Sequence, residues 1–267
     1  MHFQTSPSRT SVDAMDASLL SNRCFIDLPK ELFQMLATAG PYLCRDTLLL
    51  QKVCRVLRGY YMSALELLGN IDASNHEPFS GGNRNPRLHL KEARTRLEEA
   101  LGACLLPSLQ LIPANPAVGQ EIWEVMNLLP YEVRYRLYGE WEKDDERNPM
   151  LLAARQTAKL DTRRILKRLA KENLKQLGRM VAKLAHANPM TVLRTIVHQI
   201  EAYRDMITPV VDAFKYLTQL EYDILEYVVI ERLAQGGRDK LKDDGLNLSD
   251  WLQSLASFWG HLYWNGD

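Results

Sequence analysis

The sequence offers little of what marks a membrane protein, a secreted protein or an enzyme. No run of about 18 apolar residues exists, so no segment reads as a transmembrane helix. The first residues, MHFQTSPSRTSVDAMDAS, lack the apolar core of a secretory signal; residues 1–18 are expected to form a disordered polar lead-in. Net charge is zero, from 33 basic and 33 acidic side chains, so the chain as a whole has no electrostatic reason to seek nucleic acid or a membrane surface. The four cysteines, Cys24, Cys44, Cys54 and Cys104, contain no CxxC pair, which argues for free buried thiols and against zinc ligation. Six histidines are scattered, and none pairs with another ligand type at a metal spacing. Phosphate-binding and dinucleotide-binding glycine loops, nucleophile elbows and HExxH are absent. No cofactor, metal or catalytic residue is therefore assigned, and the chain is expected not to be an enzyme. Asp243-Asp244 reads as a loop charge pair.

Strand signals are scarce too. No stretch sustains apolar–polar alternation with β-branched residues, and no Asn-Gly or Asp-Gly pair sits between two such runs. Helical periodicity recurs instead. Helices are expected over 29–39, 41–69, 87–107, 117–127, 130–142, 149–170, 173–186, 189–203, 209–218, 220–235 and 249–262. Pro29, Pro41, Pro130, Pro149, Pro189 and Pro209 stand at helix starts, where the missing N–H would have had no intrahelical partner. Asn188 and Thr208 precede two of these prolines and are expected N-caps, as is Ser249. The fold class is all-α: stacked antiparallel helices, HEAT- or armadillo-like or an irregular α-solenoid. No fixed sequence period demonstrates a regular repeat. The Gly-, Asn- and Pro-rich stretch 72–87 reads as a loop or linker. It separates an N-terminal helical unit, 19–71, from a larger one, 88–267.

The neutral total conceals a pattern. Residues 155–196 hold 11 basic and 2 acidic side chains, a net of +9, between acidic segments on either side. Arg155, Lys159, Arg163, Lys167, Lys171, Lys175, Arg179 and Lys183 fall at every fourth position. Four residues turn a helix by about 400°, so a single helix would carry a winding stripe. Lys171-Glu172-Asn173 and Gly178 predict a break into two helices, each with a basic side. This series is the candidate partner or RNA surface; the plainer reading is a solvated face, or one that pairs with an acidic partner chain. Nucleic-acid surfaces often interleave aromatic residues with the basic ones, and none lies between Arg155 and Lys183.

The segment LLPYEVRYRLYGEWE, 128–142, carries the opposite signature. Tyr131, Tyr135, Tyr138 and Trp141 recur at steps of four, three and three, which places them on one helical face. A stacking platform needs exposed rings with basic neighbours, whereas Arg134 and Arg136 point elsewhere. The spacing suits rings packed between helices, and the helix is expected to lock 117–127 against 149–170. At the C-terminal end, Trp251, Leu252, Leu255, Phe258 and Trp259 are expected to leave an open apolar side on the last helix.

Four long stretches, LLPYEVRYRLYGEW, RLAKENLKQLGRMVAKLAHANP, ITPVVDAFKYLTQLEYDILEYVVIE and LSDWLQSLASF, resemble subunit 2 of the THO complex, plant members most. The resemblance is strongest from Ile122 to Phe258; CFIDLPKELFQML and YYMSALELL are compatible with it. It implies a non-enzymatic helical scaffold in a nuclear assembly that couples transcription to mRNA packaging and export. The implied partners are other THO subunits and a DEAD-box RNA helicase, with RNA contact indirect or weak in this segment. Members of that family are much longer. The chain, ending in WGHLYWNGD, is accordingly expected to be a fragment, without the basic tail that the family uses for nucleic-acid contact.

Overall fold

The computed structural model describes residues 28–73, 85–144, 148–169 and 173–264. The expected lead-in and most of the 72–87 loop lie outside these residues, as do Cys24 and Lys171. The described chain is all-α, as the periodicity requires. Its helices are α1 Lys30–Ala39, α2 Thr47–Ala73, α3 Pro86–Ala100, α4 Pro116–Met126, α5 Tyr131–Asp144, α6 Pro149–Leu166, α7 Leu174–Ala187, α8 Pro189–Ala202, α9 Ile207–Phe214, α10 Gln219–Ala234 and α11 Asp250–Trp264.

Asparagine followed by proline starts four helices, and at three of them the asparagine caps. Asn85, Asn115 and Asn148 accept from the backbone N–H two residues on, while Pro86, Pro116 and Pro149 occupy the first helical turn. Thr218 and Glu221 form a reciprocal capping box at α10. Two expected caps are absent. Asn188 makes no capping bond because it joins α7 directly to α8 and is buried there, with its Oδ1 lacking a hydrogen-bond partner. Thr208 lies inside the first turn of α9, which begins at Ile207.

Other boundaries move for local reasons. The helix expected from Pro41 is a 3₁₀ segment, Gly40–Arg45, followed by a fresh start at Thr47, where Asp46 accepts from the Leu49 N–H at 2.9 Å. Gly40 takes φ +51, the left-handed value that ends α1. Beyond α3 the helix widens into a π segment, Leu101–Leu105, before Leu106–Leu109, and so passes Pro107 without ending there. The break expected within 155–183 occurs between α6 and α7. Gly178 lies inside α7, where its missing side chain admits Ala213 of α9: a Cβ would sit 3.2 Å from the Ala213 Cα. The Asp244-Gly245 pair closes a tight turn with Gly245 at φ +65 and a lone antiparallel bridge, Leu241 to Leu248.

One hydrophobic core runs from Phe33 to Phe258. α2 packs on both α3 and α4, so helices on either side of residues 74–84 share it. α8 is central, packed against α6, α7, α10 and α11, with Val192, Leu193, Ile196, Val197 and Ile200 fully buried. The last helix departs from expectation. Leu255 and Phe258 are buried against α8 and α9, with the Phe258 ring edge-on to Phe214 at 5.9 Å, while Trp251, Leu252 and Trp259 are half-buried. Burial against two earlier helices uses the side that was expected to stay open.

Candidate functional site

The aromatic stripe of α5 descends from solvent into the core. Tyr131 is 59% exposed, Tyr135 half-buried, and Tyr138 and Trp141 are buried. The ring partners come from α10, which supplies Tyr227 and Asp223, while the expected neighbours are met through single side chains, α4 by Arg134 over Trp123 and α6 by Arg155. Tyr135 and Tyr138 lie 5.5 and 5.6 Å from the Tyr227 ring, within the range of favourable aromatic pairing. Gly139 makes that approach possible, since a Cβ there would stand 3.2 Å from the Tyr227 hydroxyl.

Asp223 is the polar centre of this contact. Arg134 donates to its two oxygens from Nη2 at 2.8 Å and Nε at 2.9 Å, and the Tyr138 hydroxyl donates at 2.7 Å. Arg134 also donates to the Leu129 carbonyl at 2.8 Å and lies over the Trp123 ring. Bidentate pairing with a satisfied remainder is the condition under which a buried ion pair is tolerated. Burial, reinforced by the adjacent Asp223 carboxylate, pushes the Tyr138 phenol well above its ordinary pKa. Burial and Glu226 push Tyr135 up to about 12. These groups are committed to holding helices together, and the sequence separation of 89 residues between Arg134 and Asp223 left no local signal of it.

The basic series divides. Arg155 is half-buried and donates to the Trp141 and Glu142 carbonyls at 2.9 Å, closing the end of α5; burial lowers its pKa, with Glu142 opposing. Lys159 and Arg163 are exposed on the following turns of α6. With Arg155 they line a groove of about 420 Å³ between α6 and α8, whose opposite wall includes Arg194 and His198. Lys167 is exposed beyond it. Lys175, Arg179 and Lys183 are exposed on α7, and none of them lines the groove. Arg179 and Lys215 flank the Tyr216 ring at 5.7 and 5.3 Å, so tertiary structure supplies an aromatic neighbour that the local sequence lacks.

Ionic links tie the stack around the groove. Arg194 of α8 reaches Glu142 of α5 at 2.6 Å and Glu231 of α10 at 2.7 Å. Glu201 accepts from Arg232 and Arg238; burial alone would raise its pKa, and these two hydrogen-bonded guanidiniums hold it below the usual value. His198, facing Arg232, is pushed down by burial and by that charge. His186 contacts Glu221 at 2.7 Å, joining α7 to the α10 capping box. Asp244 accepts from the Leu246 and Asn247 N–H groups, which holds its carboxyl at about 2. Burial raises the Cys54 and Cys104 thiols, Cys104 to about 11, so neither is a nucleophile at neutral pH. Among the described residues, no cluster of three potential metal ligands forms and no helix is long and apolar enough to cross a membrane.

Helices packed on one another around a shared core, and cross-linked by ionic and aromatic groups from distant parts of the chain, define an all-α stacked-helix protein of solenoid type. Comparison with known proteins makes the assignment specific. A family described as "THO complex subunit 2 N-terminus" matches residues 25–179, and one described as "Transcription- and export-related complex subunit" matches residues 181–256. The chain is 78% identical to THO complex subunit 2 of Arabidopsis thaliana over 97% of its own length. It is 36% identical to the Homo sapiens protein of the same name over 90% of its length, and 32% identical to the Saccharomyces cerevisiae one over 58%. The chain belongs to the THO complex subunit 2 family. It spans 14% of the length of the Arabidopsis and human relatives. The two family matches meet inside α7, where no structural break exists.

Proposed function

We propose that this chain is a helical scaffold segment of a nuclear THO/TREX assembly and acts through protein–protein contacts in transcription-coupled mRNP assembly and mRNA export. The observation that carries the reading is the Arg134–Asp223–Tyr138 cluster. The most chemically conspicuous side chains of the sequence are spent on fixing α5 against α10, which is what a rigid spacer requires. Membership of the family supports the same reading. Other THO subunits, and a DEAD-box RNA helicase, are the proposed partners; no catalysis is assigned.

A tagged form of the chain recovered from plant nuclear extract, with its companions identified by mass spectrometry, tests this. Other THO subunits are expected. Recovery of chaperones alone would overturn the reading. A second reading, direct RNA binding, draws on the Arg179–Tyr216–Lys215 cluster, where two cations lie 5.7 and 5.3 Å from the centre of one ring. It predicts RNA affinity that falls steeply with salt and is lost in Lys183→Glu/Arg179→Glu; affinity indifferent to salt would sink it.

A further inference from the structure

The groove between α6 and α8 has a polarity that neither helix has alone. At one end Leu152, 41% exposed, stands near Met190, and Glu142 sits between Arg155 and Arg194. Cationic charge is compensated there, and the open surface is apolar. At the other end Lys159 and Arg163 project from successive turns of α6. Among the described residues neither makes an ion pair. The acidic group behind them on α8, Glu201, is already held by Arg232 and Arg238, and Glu231 is held by Arg194. His198, on the same wall, has its pKa pushed down by burial and by Arg232.

We propose that this groove is a docking site for an extended acidic peptide segment of a partner protein, an apolar residue at the Leu152 end and alternate carboxylates on Lys159 and Arg163. The assignment rests on the scaffold reading and gives it a surface. Spacing supports it. Positions four apart on a helix are separated by about 6 Å along the axis, and alternate side chains of an extended strand by about 6.6 Å on one face. Acidic residues at every second position therefore meet Lys159 and Arg163 in register. Gln156 and Gln199 line the walls with amide groups of the kind that pair with an extended main chain. Among the described residues no Phe, Tyr or Trp lines the groove and His198 is its one ring, so a nucleic-acid strand would find phosphate partners but little base stacking.

Fluorescence anisotropy on the 267-residue chain tests the proposal with two labelled probes. One is a short peptide of leucine followed by alternating threonine and glutamate. The other is an oligouridylate of equal net charge. The peptide is expected to bind, and Lys159→Glu/Arg163→Glu to weaken it by about tenfold or more, while the charge-matched Lys175→Glu/Lys183→Glu leaves it unchanged. Circular dichroism melting confirms that each variant folds, as the exposure of all four positions predicts. Undiminished peptide affinity in Lys159→Glu/Arg163→Glu overturns the site, as does equal loss in the control pair, which would mean unspecific attraction. Tighter oligouridylate binding that vanishes with Lys159→Glu/Arg163→Glu would make the groove a nucleic-acid site instead. Absence of peptide binding by a chain that still recovers THO subunits from extract overturns the groove and leaves the scaffold reading standing.

Discussion

Asp223 accepts three hydrogen bonds from two side chains of another helix, and the consequences of removing each partner differ. Tyr138→Phe deletes one donor while Arg134 still neutralises the carboxylate, and a loss of about 1–2 kcal/mol is expected. Asp223→Ala leaves the largely buried Arg134 guanidinium without its counter-ion, for which about 3–5 kcal/mol is expected. Chemical denaturation of the two variants checks the order; equal losses would mean that Asp223 acts through packing alone. Alkaline pH acts on the same residues. Unfolded tyrosine titrates near pH 10, whereas folded Tyr138 and Tyr135 hold their protons to higher pH. Their contribution to stability is therefore complete below about pH 10 and is lost as pH rises through the folded values. Absorbance titration should show these two phenols ionising last, together with loss of helical signal. Their ionisation near pH 10 in a chain that stays folded would contradict the burial argument.

At the scale of the element, two helical glycines predict opposite signs. Gly178→Ala gains helix propensity of about 1 kcal/mol. Its Cβ, however, meets the Ala213 backbone of α9 at 3.2 Å, and overpacking of this kind costs about 1–3 kcal/mol. The α7–α9 contact must open, so net destabilisation is expected. Gly119→Ala in α4 meets nothing within 4 Å and should stabilise by about 0.5–1 kcal/mol. Thermal melting of the pair decides: stabilisation by Gly178→Ala would show that α9 yields easily. The separation of α6 from α7 has a functional side as well. It turns a winding stripe into two surfaces, Arg155, Lys159 and Arg163 facing α8 across a groove and Lys175, Arg179 and Lys183 on α7, where Arg179 stands beside Tyr216.

At the scale of the molecule, the shared core from Phe33 to Phe258 predicts cooperative unfolding. A single denaturant transition, coincident by tryptophan fluorescence and far-ultraviolet circular dichroism, is expected. Two separated transitions would support the proposed division into a 19–71 unit and an 88–267 unit. The fold also orders its charges. The net charge of zero is resolved into links between helices, as at Arg194 and Glu201, and a cationic end of the groove where Lys159 and Arg163 have no carboxylate partner among the described residues.

The helices, most of their starts, the break in the basic series and the shared face of Tyr131, Tyr135, Tyr138 and Trp141 follow from the sequence alone. These are properties of residues within a few positions of one another, set by proline's missing donor and the 3.6-residue turn. The resemblance to THO complex subunit 2 was also legible there, because long stretches in order carry it. Tertiary structure alone decided that the stripe meets Asp223, that Asn188 is a buried joint and not a cap, that the last helix closes on α8 and α9, and that Lys159 and Arg163 face a groove while Arg179 stands beside Tyr216. Each depends on which distant helix arrives. That is settled by complementary packing across the whole core, which no local spacing encodes.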